Sequence, residues 1–259
     1  MTQPTKQGNR QANRHLRQIL TQAEAHSERG DSFLAVFDLD STLFDVGPRL
    51  QQIFLDFAES AVFQKRFPEA TQILKTLQTH RKDWGFQDAL VRAGLDGKHP
   101  EFEHALKDFW QQRFFSNQYL HFDKPYPGAR QFVESLWNLG AQIAYLTGRD
   151  HQRMGPGTVE VLEKWAFPMD SKRSKLVLKP DRELDDAQFK SDWFIQAKAM
   201  NHQKIWFFEN EPKNIHLVQK EHPEVEVIFF DSTHSRHSDP PDGIPSIIDF
   251  LLDDQKDNN

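Results

Sequence analysis

The sequence predicts an α/β fold, with a doubly wound parallel sheet and an inserted helical segment. Three observations support this prediction. Short apolar strands alternate with helical segments near the start of the chain and again over residues 126–235. Residues 33–37 and 205–208 are continuously apolar, which is typical of strands buried on both faces of a parallel sheet. Residues 47–123 show helical periodicity and no convincing strand.

The predicted elements follow one another in the order that such a sheet requires. Outside the insertion, helices are predicted at about residues 13–28, 128–139, 156–165, 186–200, 212–220 and 246–252. Strands are predicted at residues 33–37, 143–146, 176–178, 205–208 and 225–230. Inside the insertion, helical periodicity covers about residues 49–66, 69–80, 85–94 and 101–117.

The insertion is rich enough in aromatic residues to form a small core of its own. It contains 13 aromatic residues in 77, a higher density than the 12% of the whole chain. We therefore predict an inserted helical domain at residues 47–123 and a core domain formed by residues 1–46 and 124–259.

Composition excludes several classes of site and partner. The 38 acidic residues outnumber the 32 Lys and Arg residues, so the net charge of −6 offers no positive field to nucleic acid or to an acidic membrane. The absence of cysteine excludes disulfides, thiolate metal sites and thiol nucleophiles. Neither a signal peptide nor an apolar stretch near the roughly 18 residues of a membrane span is found. We expect a cytoplasmic protein that binds neither nucleic acid nor membrane.

Four predicted strands end at polar residues that could hold a phosphate group or a cation. These residues are Asp38, Thr147, Glu209 and Asp231. Ligands of open parallel sheets bind at the carboxyl ends of the strands. Several such residues at one edge of one sheet therefore predict a binding site there.

Asp38 and Asp40 are separated by one residue directly after a buried strand, so both carboxylates could face one small space. Asp38 could attack phosphorus and form an aspartyl-phosphate. Asp40 could protonate the leaving oxygen and then deprotonate the attacking water. Two acids beside a phosphate dianion call for a divalent cation, and oxygen ligands favour Mg²⁺. Taken alone, the pair could equally be an acidic loop or a helix cap.

The surrounding motifs resemble those of the haloacid dehalogenase (HAD) superfamily. FDLDSTL at residues 37–43 resembles its first motif and IAYLTGR at residues 143–149 its second, while residues 187–190 (AQFK) and 206–212 (WFFENEP) could supply the third and fourth. The resemblance implies a Rossmann-like core with a mobile cap, and the insertion lies where a helical cap of the C1 type belongs. The second aspartate, Asp40, indicates the phosphatase branch, because the dehalogenase branch does not use one there.

The resemblance also implies roles for individual residues. Thr147 would hydrogen-bond the phosphoryl group during transfer. A lysine near the start of a helix would balance the charge of Asp38. Lys190 is the preferred candidate because it borders the buried side of its helix, and Lys179 and Lys198 are the alternatives.

The metal shell implied by the resemblance consists of Asp38, the backbone carbonyl of Asp40, and Glu209. Glu209 stands where the family more often has aspartate, and its carboxylate has one more methylene of reach. Either Asn210 or Asn214 could complete the shell. The loss of a second acid at this position is expected to weaken metal binding.

These features predict a Mg²⁺-dependent phosphomonoesterase that acts on a small phosphorylated metabolite as a monomer or weak homodimer. One alternative is a phosphotransferase or phosphomutase that uses the same aspartyl-phosphate. Another is a binding or regulatory protein with little or no turnover. Substrate identity depends on the cap, whose candidate contact groups are its aromatic residues and Arg49, Lys65, Arg66, Arg81, Lys82 and Arg113.

Overall fold

The computed structural model describes residues 6–252, with side chains described from Arg14 onward. The strands are β1 (Phe33–Phe37), β2 (Phe44–Asp45), β3 (Lys124–Pro125), β4 (Gln142–Asp150), β5 (Ser174–Lys179), β6 (Lys204–Glu209), β7 (Glu226–Phe230) and β8 (Ser246–Ile247). The helices are α1 (Lys6–Arg29), α2 (Gly47–Glu59), α3 (Ala61–Arg66), α4 (Pro68–Thr76), α5 (Gln87–Ala93), α6 (Pro100–Phe114), α7 (Asn117–Leu120), α8 (Ala129–Asn138), α9 (His151–Lys164), α10 (Asp186–Lys198) and α11 (Pro212–Glu221).

Six strands form one parallel sheet in the order β5-β4-β1-β6-β7-β8. Alternate residues of β1 pack on opposite faces: Phe33, Ala35 and Phe37 belong to the cluster with α1, α8 and α9, whereas Leu34 and Val36 belong to the cluster with α10 and α11. Both faces are therefore covered, as the predicted α/β fold requires. Because β1 lies between β4 and β6, the residue that follows β1 stands at the middle of the sheet edge.

The inserted segment, residues 47–123, contains the helices α2 to α7 joined by loops, and no strand. A third hydrophobic cluster, built from residues of α2, α4, α5 and α6, fills its interior. The chain leaves and re-enters the sheet domain through β2 and β3, which pair antiparallel in a two-stranded stem. We call residues 47–123 the cap segment.

Several predicted boundaries were wrong. Residues 246–252 form no helix; β8 instead pairs with β7 and buries Ile247, because a short apolar run fits a covered sheet edge as well as a helix. β4 continues past residue 146 to Asp150, with an irregular register against β5. The single helix predicted at about residues 49–66 is two helices, since Ser60 adopts an extended conformation between them.

The first helix begins at Lys6 and not near residue 13. The helix predicted to begin near residue 156 begins at His151, where the Asp150 side chain accepts a hydrogen bond from the backbone N–H of Arg153. This N-cap satisfies one of the free donors at the helix start. Within the described residues, no helix combines the length and apolar character that a membrane span requires.

Candidate active site

Asp38 lies directly after the central strand β1 and is almost fully buried. Its backbone N–H donates to the carbonyl oxygen of Phe208 at 3.0 Å, which continues the pairing of β1 with β6. Its Oδ1 atom lies 2.6 Å from the Nζ atom of Lys190, and the same Nζ atom lies 2.6 Å from Oε2 of Glu209. The structure thus brings together a carboxylate from β1, a lysine from α10 and a carboxylate from β6.

Of the three candidate lysines, the structure brings only Lys190 to Asp38. Lys190 is 2% exposed and lies on the buried side of α10. Lys179 is also buried, but its Nζ atom donates to two backbone carbonyls and to Asp186. Lys198 pairs with a glutamate at the surface. Lys190 is therefore the cation that can balance charge on Asp38.

Burial and the contacts of Lys190 with its carboxylates shift the pKa values of Asp38 and Lys190 in opposite directions. Burial raises the pKa of the Asp38 carboxyl, and the neighbouring Glu209 carboxylate raises it further, whereas Lys190 opposes the increase. Burial alone would lower the pKa of Lys190, but its contacts with Asp38 and Glu209 outweigh burial and raise that pKa. Lys190 is therefore charged at neutral pH, and it holds the two carboxylates together.

Glu209 uses both of its carboxylate oxygens within the protein. Oε1 accepts hydrogen bonds from the backbone N–H groups of Asn210 at 2.9 Å and Glu211 at 3.0 Å. Oε2 accepts from Lys190 at 2.6 Å and from the Asn214 amide at 3.1 Å. A carboxylate offers about four acceptor positions, so those of Glu209 are occupied. Its predicted role as a metal ligand stays a prediction, and that role requires Lys190 or Asn214 to release Oε2.

Two oxygen atoms near Asp38 remain available for a cation or a substrate. Among the described residues, none donates a hydrogen bond to Oδ2 of Asp38 or to the backbone carbonyl oxygen of Asp40. Asp38 and Asp40 line the same cavity, and hard oxygen donors suit Mg²⁺. The side chain of Asn210 is occupied by Thr42 and by a backbone carbonyl. In the part of the chain that the structure describes, no three His, Cys, Asp or Glu side chains form a cluster that could hold a metal.

The Asp40 side chain is held by two arginines. Oδ2 accepts from Nε of Arg149 at 3.0 Å, and Oδ1 accepts from Nη2 of Arg149 at 2.8 Å and Nη2 of Arg49 at 2.6 Å. Both guanidinium groups also contact the fully buried carboxylate of Asp123. These four side chains, of which Asp40 is 32% exposed and the other three are buried, form what we call the arginine–aspartate network. It joins the first motif, the second motif and both ends of the cap segment.

This network controls the charge of Asp40. Burial alone would raise the pKa of its carboxyl, but Arg149 and Arg49 outweigh burial and hold the pKa well below its usual range. Asp40 is therefore ionised, and its low pKa makes it a weak proton acceptor while both arginines hold it. Sequence reasoning missed Asp123 and the pairing of Arg149 with Asp40. The only sequence signal was the position of Asp123, directly before the chain returns to the sheet domain through β3.

Thr147 and Gly148 lie beside Asp38 at the sheet edge and line the same cavity. Thr147 is fully buried, and its Oγ1 atom accepts from the backbone N–H of Arg149 at 3.3 Å. A Cβ atom at Gly148 would overlap the Asp186 carboxylate, so a larger residue there would displace that half-exposed side chain. Asp231, the fourth polar strand end, is not among the cavity residues and pairs with Lys82 of the cap segment.

A cavity of about 440 Å³ lies between the sheet edge and the cap segment. Its sheet side carries Asp38, Thr147, Lys190 and Glu209. Its cap side carries four aromatic residues, Trp84, Trp110, Phe114 and Phe115, together with polar residues such as Arg81. The volume falls in the range of small-molecule sites, so a substrate of a few rings or a short polar chain fits beside Asp38.

Comparison with known proteins identifies the family. Among solved structures, a hydrolase from Streptococcus pneumoniae TIGR4 is 13% identical, with 78% of this chain and 94% of that chain covered and a TM-score of 0.49. A predicted phosphoglycolate phosphatase from Haemophilus somnus 129PT is 18% identical, with 84% and 94% covered and a TM-score of 0.48. Such distant similarities carry no argument about activity.

The search of curated proteins found no significant match. A model of the haloacid dehalogenase-like hydrolases matches residues 34–181, from the first strand of the sheet to just beyond β5. The match includes the first and second motifs, with Asp38, Asp40 and Thr147, and the whole cap segment. Because it covers more than half of the chain, the protein belongs to the haloacid dehalogenase-like hydrolase family.

Proposed function

We propose that this hydrolase is a Mg²⁺-dependent phosphomonoesterase that acts on a small phosphorylated metabolite through an aspartyl-phosphate on Asp38. The observation that carries the proposal is the state of the Asp38 carboxylate. Lys190 occupies Oδ1, whereas Oδ2 has no partner among the described residues and Asp38 lines the cavity beside Thr147. A fixed and partly neutralised carboxylate with one free oxygen is suited to attack on phosphorus.

In the proposed reaction, Oδ2 of Asp38 bonds to phosphorus, and the bond between phosphorus and the leaving oxygen breaks. The leaving oxygen keeps the electron pair and takes up a proton. Lys190 limits the charge that accumulates, and the Thr147 hydroxyl and neighbouring N–H groups hydrogen-bond the phosphoryl oxygens. Water then attacks the aspartyl-phosphate while Asp40 accepts its proton, which releases inorganic phosphate and restores Asp38.

Asp40 requires a rearrangement that raises its pKa, both to donate a proton in the first step and to accept one effectively in the second. It is ionised while both Arg149 and Arg49 hold it. Because Arg49 belongs to the cap segment, movement of the cap would remove one of the two guanidinium groups. We propose that the cap segment, residues 47–123, moves as a domain against the core formed by residues 1–46 and 124–259.

The residues that would hold Mg²⁺ are Asp38, through Oδ1 beside Lys190, and Asp40, through its backbone carbonyl oxygen, so that Oδ2 of Asp38 stays free for attack. No described residue donates a hydrogen bond to the Asp40 carbonyl oxygen. Glu209 would join them only if Lys190 or Asn214 released Oε2. When bound, the metal ion would neutralise phosphate charge and polarise phosphoryl oxygens.

The test is release of inorganic phosphate from a small aryl phosphate and from a panel of metabolites in Mg²⁺. Asp38→Asn should abolish release and leave the fold intact by circular dichroism. Asp96→Asn, at an exposed position of the cap segment, is the matched control and should keep full activity. Near-normal release by Asp38→Asn would contradict the mechanism.

One observation favours a second candidate function, a binding or regulatory protein without turnover. The acid–base candidate Asp40 is held ionised by two arginines, and the acceptor positions of Glu209 are occupied. A protein that binds phosphate esters in the cavity but releases phosphate from none of a broad panel would support this candidate.

A further inference from the structure

Three aromatic rings at the carboxyl end of α6 form one wall of the cavity. The ring centroids of Trp110 and Phe114 lie 5.1 Å apart, those of Trp110 and Phe115 5.4 Å, and those of Phe114 and Phe115 5.1 Å. All three rings line the cavity that contains Asp38. We call these three residues the aromatic wall. Trp110 and Phe114 are tilted by 34°, and Phe115 is nearly perpendicular to both, so the three rings can offer a ligand ring both faces and edges.

Two residues that line the cavity each carry a buried hydrogen-bond donor without a partner among the described residues. The Nε1 atom of Trp110 and the Nε atom of Arg81 are both buried, and no described residue accepts from either. Buried polar groups are nearly always satisfied, because an unmade hydrogen bond in a low-dielectric site is costly. Both side chains belong to the cap segment, so the proposed movement of the cap would bring these two donors within reach of acceptor atoms on a ligand.

The lysines and arginines that line the cavity are Arg81, Arg149 and Lys190. Lys190 and Arg149 are engaged with carboxylates, whereas Arg81 pairs with no carboxylate of the described residues and donates from a terminal nitrogen to a backbone carbonyl. Arg81 is therefore the cap-side group that can receive an acceptor atom of the ligand, and the neighbouring aromatic wall favours an acceptor carried on a ring.

We propose that the phosphate ester cleaved at Asp38 has a leaving group that carries a planar aromatic ring with hydrogen-bond acceptor atoms. The ring contacts the aromatic wall, and its acceptors receive the N–H groups of Trp110 and Arg81. This inference rests on the proposed phosphatase activity and deepens it. Two sources share the chemistry: an aryl phosphate, with its ring on the ester oxygen, and a nucleoside monophosphate, with its ring one sugar away.

The experiment separates ring recognition from turnover. Binding of 4-nitrophenyl phosphate, four nucleoside 5′-monophosphates and glycerol 1-phosphate is measured by calorimetry on Asp38→Asn, which leaves the esters uncleaved, and kcat/KM is measured on the active protein. At least one ring-bearing class should bind about tenfold or more tightly than glycerol 1-phosphate. The class that binds more tightly shows whether the natural leaving group is an aryl group or a nucleoside.

Variants of Trp110 test the wall itself. Trp110→Leu should weaken the binding of ring-bearing esters roughly 5- to 20-fold and change the affinity for glycerol 1-phosphate by less than about twofold. Trp110→Phe keeps a ring but removes the N–H group, so it should fall between wild type and Trp110→Leu. Trp137→Phe also replaces a tryptophan by phenylalanine, but on α8 and away from the cavity. It should change neither the affinity for ring-bearing esters nor that for glycerol 1-phosphate. Circular dichroism and thermal unfolding check that each variant is folded.

Equal affinity for ring-bearing and alkyl esters would overturn the proposal. So would an equal loss for both classes in Trp110→Leu, or a matching loss in Trp137→Phe. If the wild-type protein cleaves no ester, the proposed phosphatase activity fails, and the binding preference still decides whether the cavity selects a ring.

Discussion

Replacement of Lys190 by methionine tests the buried trio most directly. Lys190 is 2% exposed and lies 2.6 Å from both Asp38 and Glu209. Its removal leaves two buried carboxylates facing one another without a cation. Breaking a buried ion pair by removing one partner typically costs about 3–5 kcal/mol of the free energy of unfolding.

The loss of unfolding free energy in Lys190→Met has an upper limit that depends on pH. The folded variant can avoid a buried charge by protonating one carboxyl, whose unfolded pKa is about 4. At pH 7 that protonation costs about 4 kcal/mol, since each unit costs about 1.4 kcal/mol. At pH 5.5 it costs about 2 kcal/mol. Because these carboxyls have a higher pKa in the folded variant than in the unfolded one, the loss of stability should shrink as the pH falls towards 4.

Urea denaturation at pH 7 and pH 5.5, monitored by circular dichroism, measures this difference between wild type and Lys190→Met. Lys179→Met is the matched control, because Lys179 is equally buried but pairs with Asp186, whose side chain is 52% exposed. Water can reach that carboxylate, so we expect a loss of about 1 kcal/mol with little dependence on pH. Equal losses in the two variants, or a loss for Lys190→Met that does not shrink at pH 5.5, would refute the reasoning.

Three further predictions concern the network, one turn and the metal. Arg49→Ala should cost about 3–5 kcal/mol in urea denaturation, because it leaves Asp123 buried with a single cationic partner; a loss below about 1 kcal/mol would contradict the network. In thermal unfolding, Gly128→Ala should destabilise the protein more than Gly30→Ala. Both glycines have positive φ, but only a Cβ atom at residue 128 would overlap backbone atoms, which belong to residues 250–251. Dialysis against EDTA should abolish phosphate release and added Mg²⁺ restore it; unchanged release would exclude a required divalent metal.

The sheet and its edge could be predicted because their signals are local. Each buried strand is a continuous apolar run, and Asp38 and Glu209 follow such runs directly. The place of Lys190 beside Asp38 could be predicted from its spacing to Phe194 on the buried side of one helix. Periodicity reports which side of an element is buried, and that is sufficient to place residues of a parallel sheet edge.

The arginine–aspartate network could not be predicted in the same way. Arg49 and Asp123 are 74 residues apart, and Arg149 is 109 residues from Asp40. No periodic pattern connects such pairs, and a lone arginine in a helix is usually exposed. The helix predicted at residues 246–252 was wrong for another reason. This segment is too short to distinguish helix from strand by its sequence pattern without knowledge of the neighbouring β7.

The two-stranded stem joins the cap segment to Asp40, the proposed acid–base residue. Both crossings between the cap segment and the sheet domain run through β2 and β3, and Arg49 and Asp123 stand just inside those crossings. A cap transplanted from a relative would therefore bring its own residues to these two positions. Unless they supply an arginine and a carboxylate, the exchange would alter the ionisation of Asp40 as well as the choice of substrate, and a chimera made to change specificity should retain both residues.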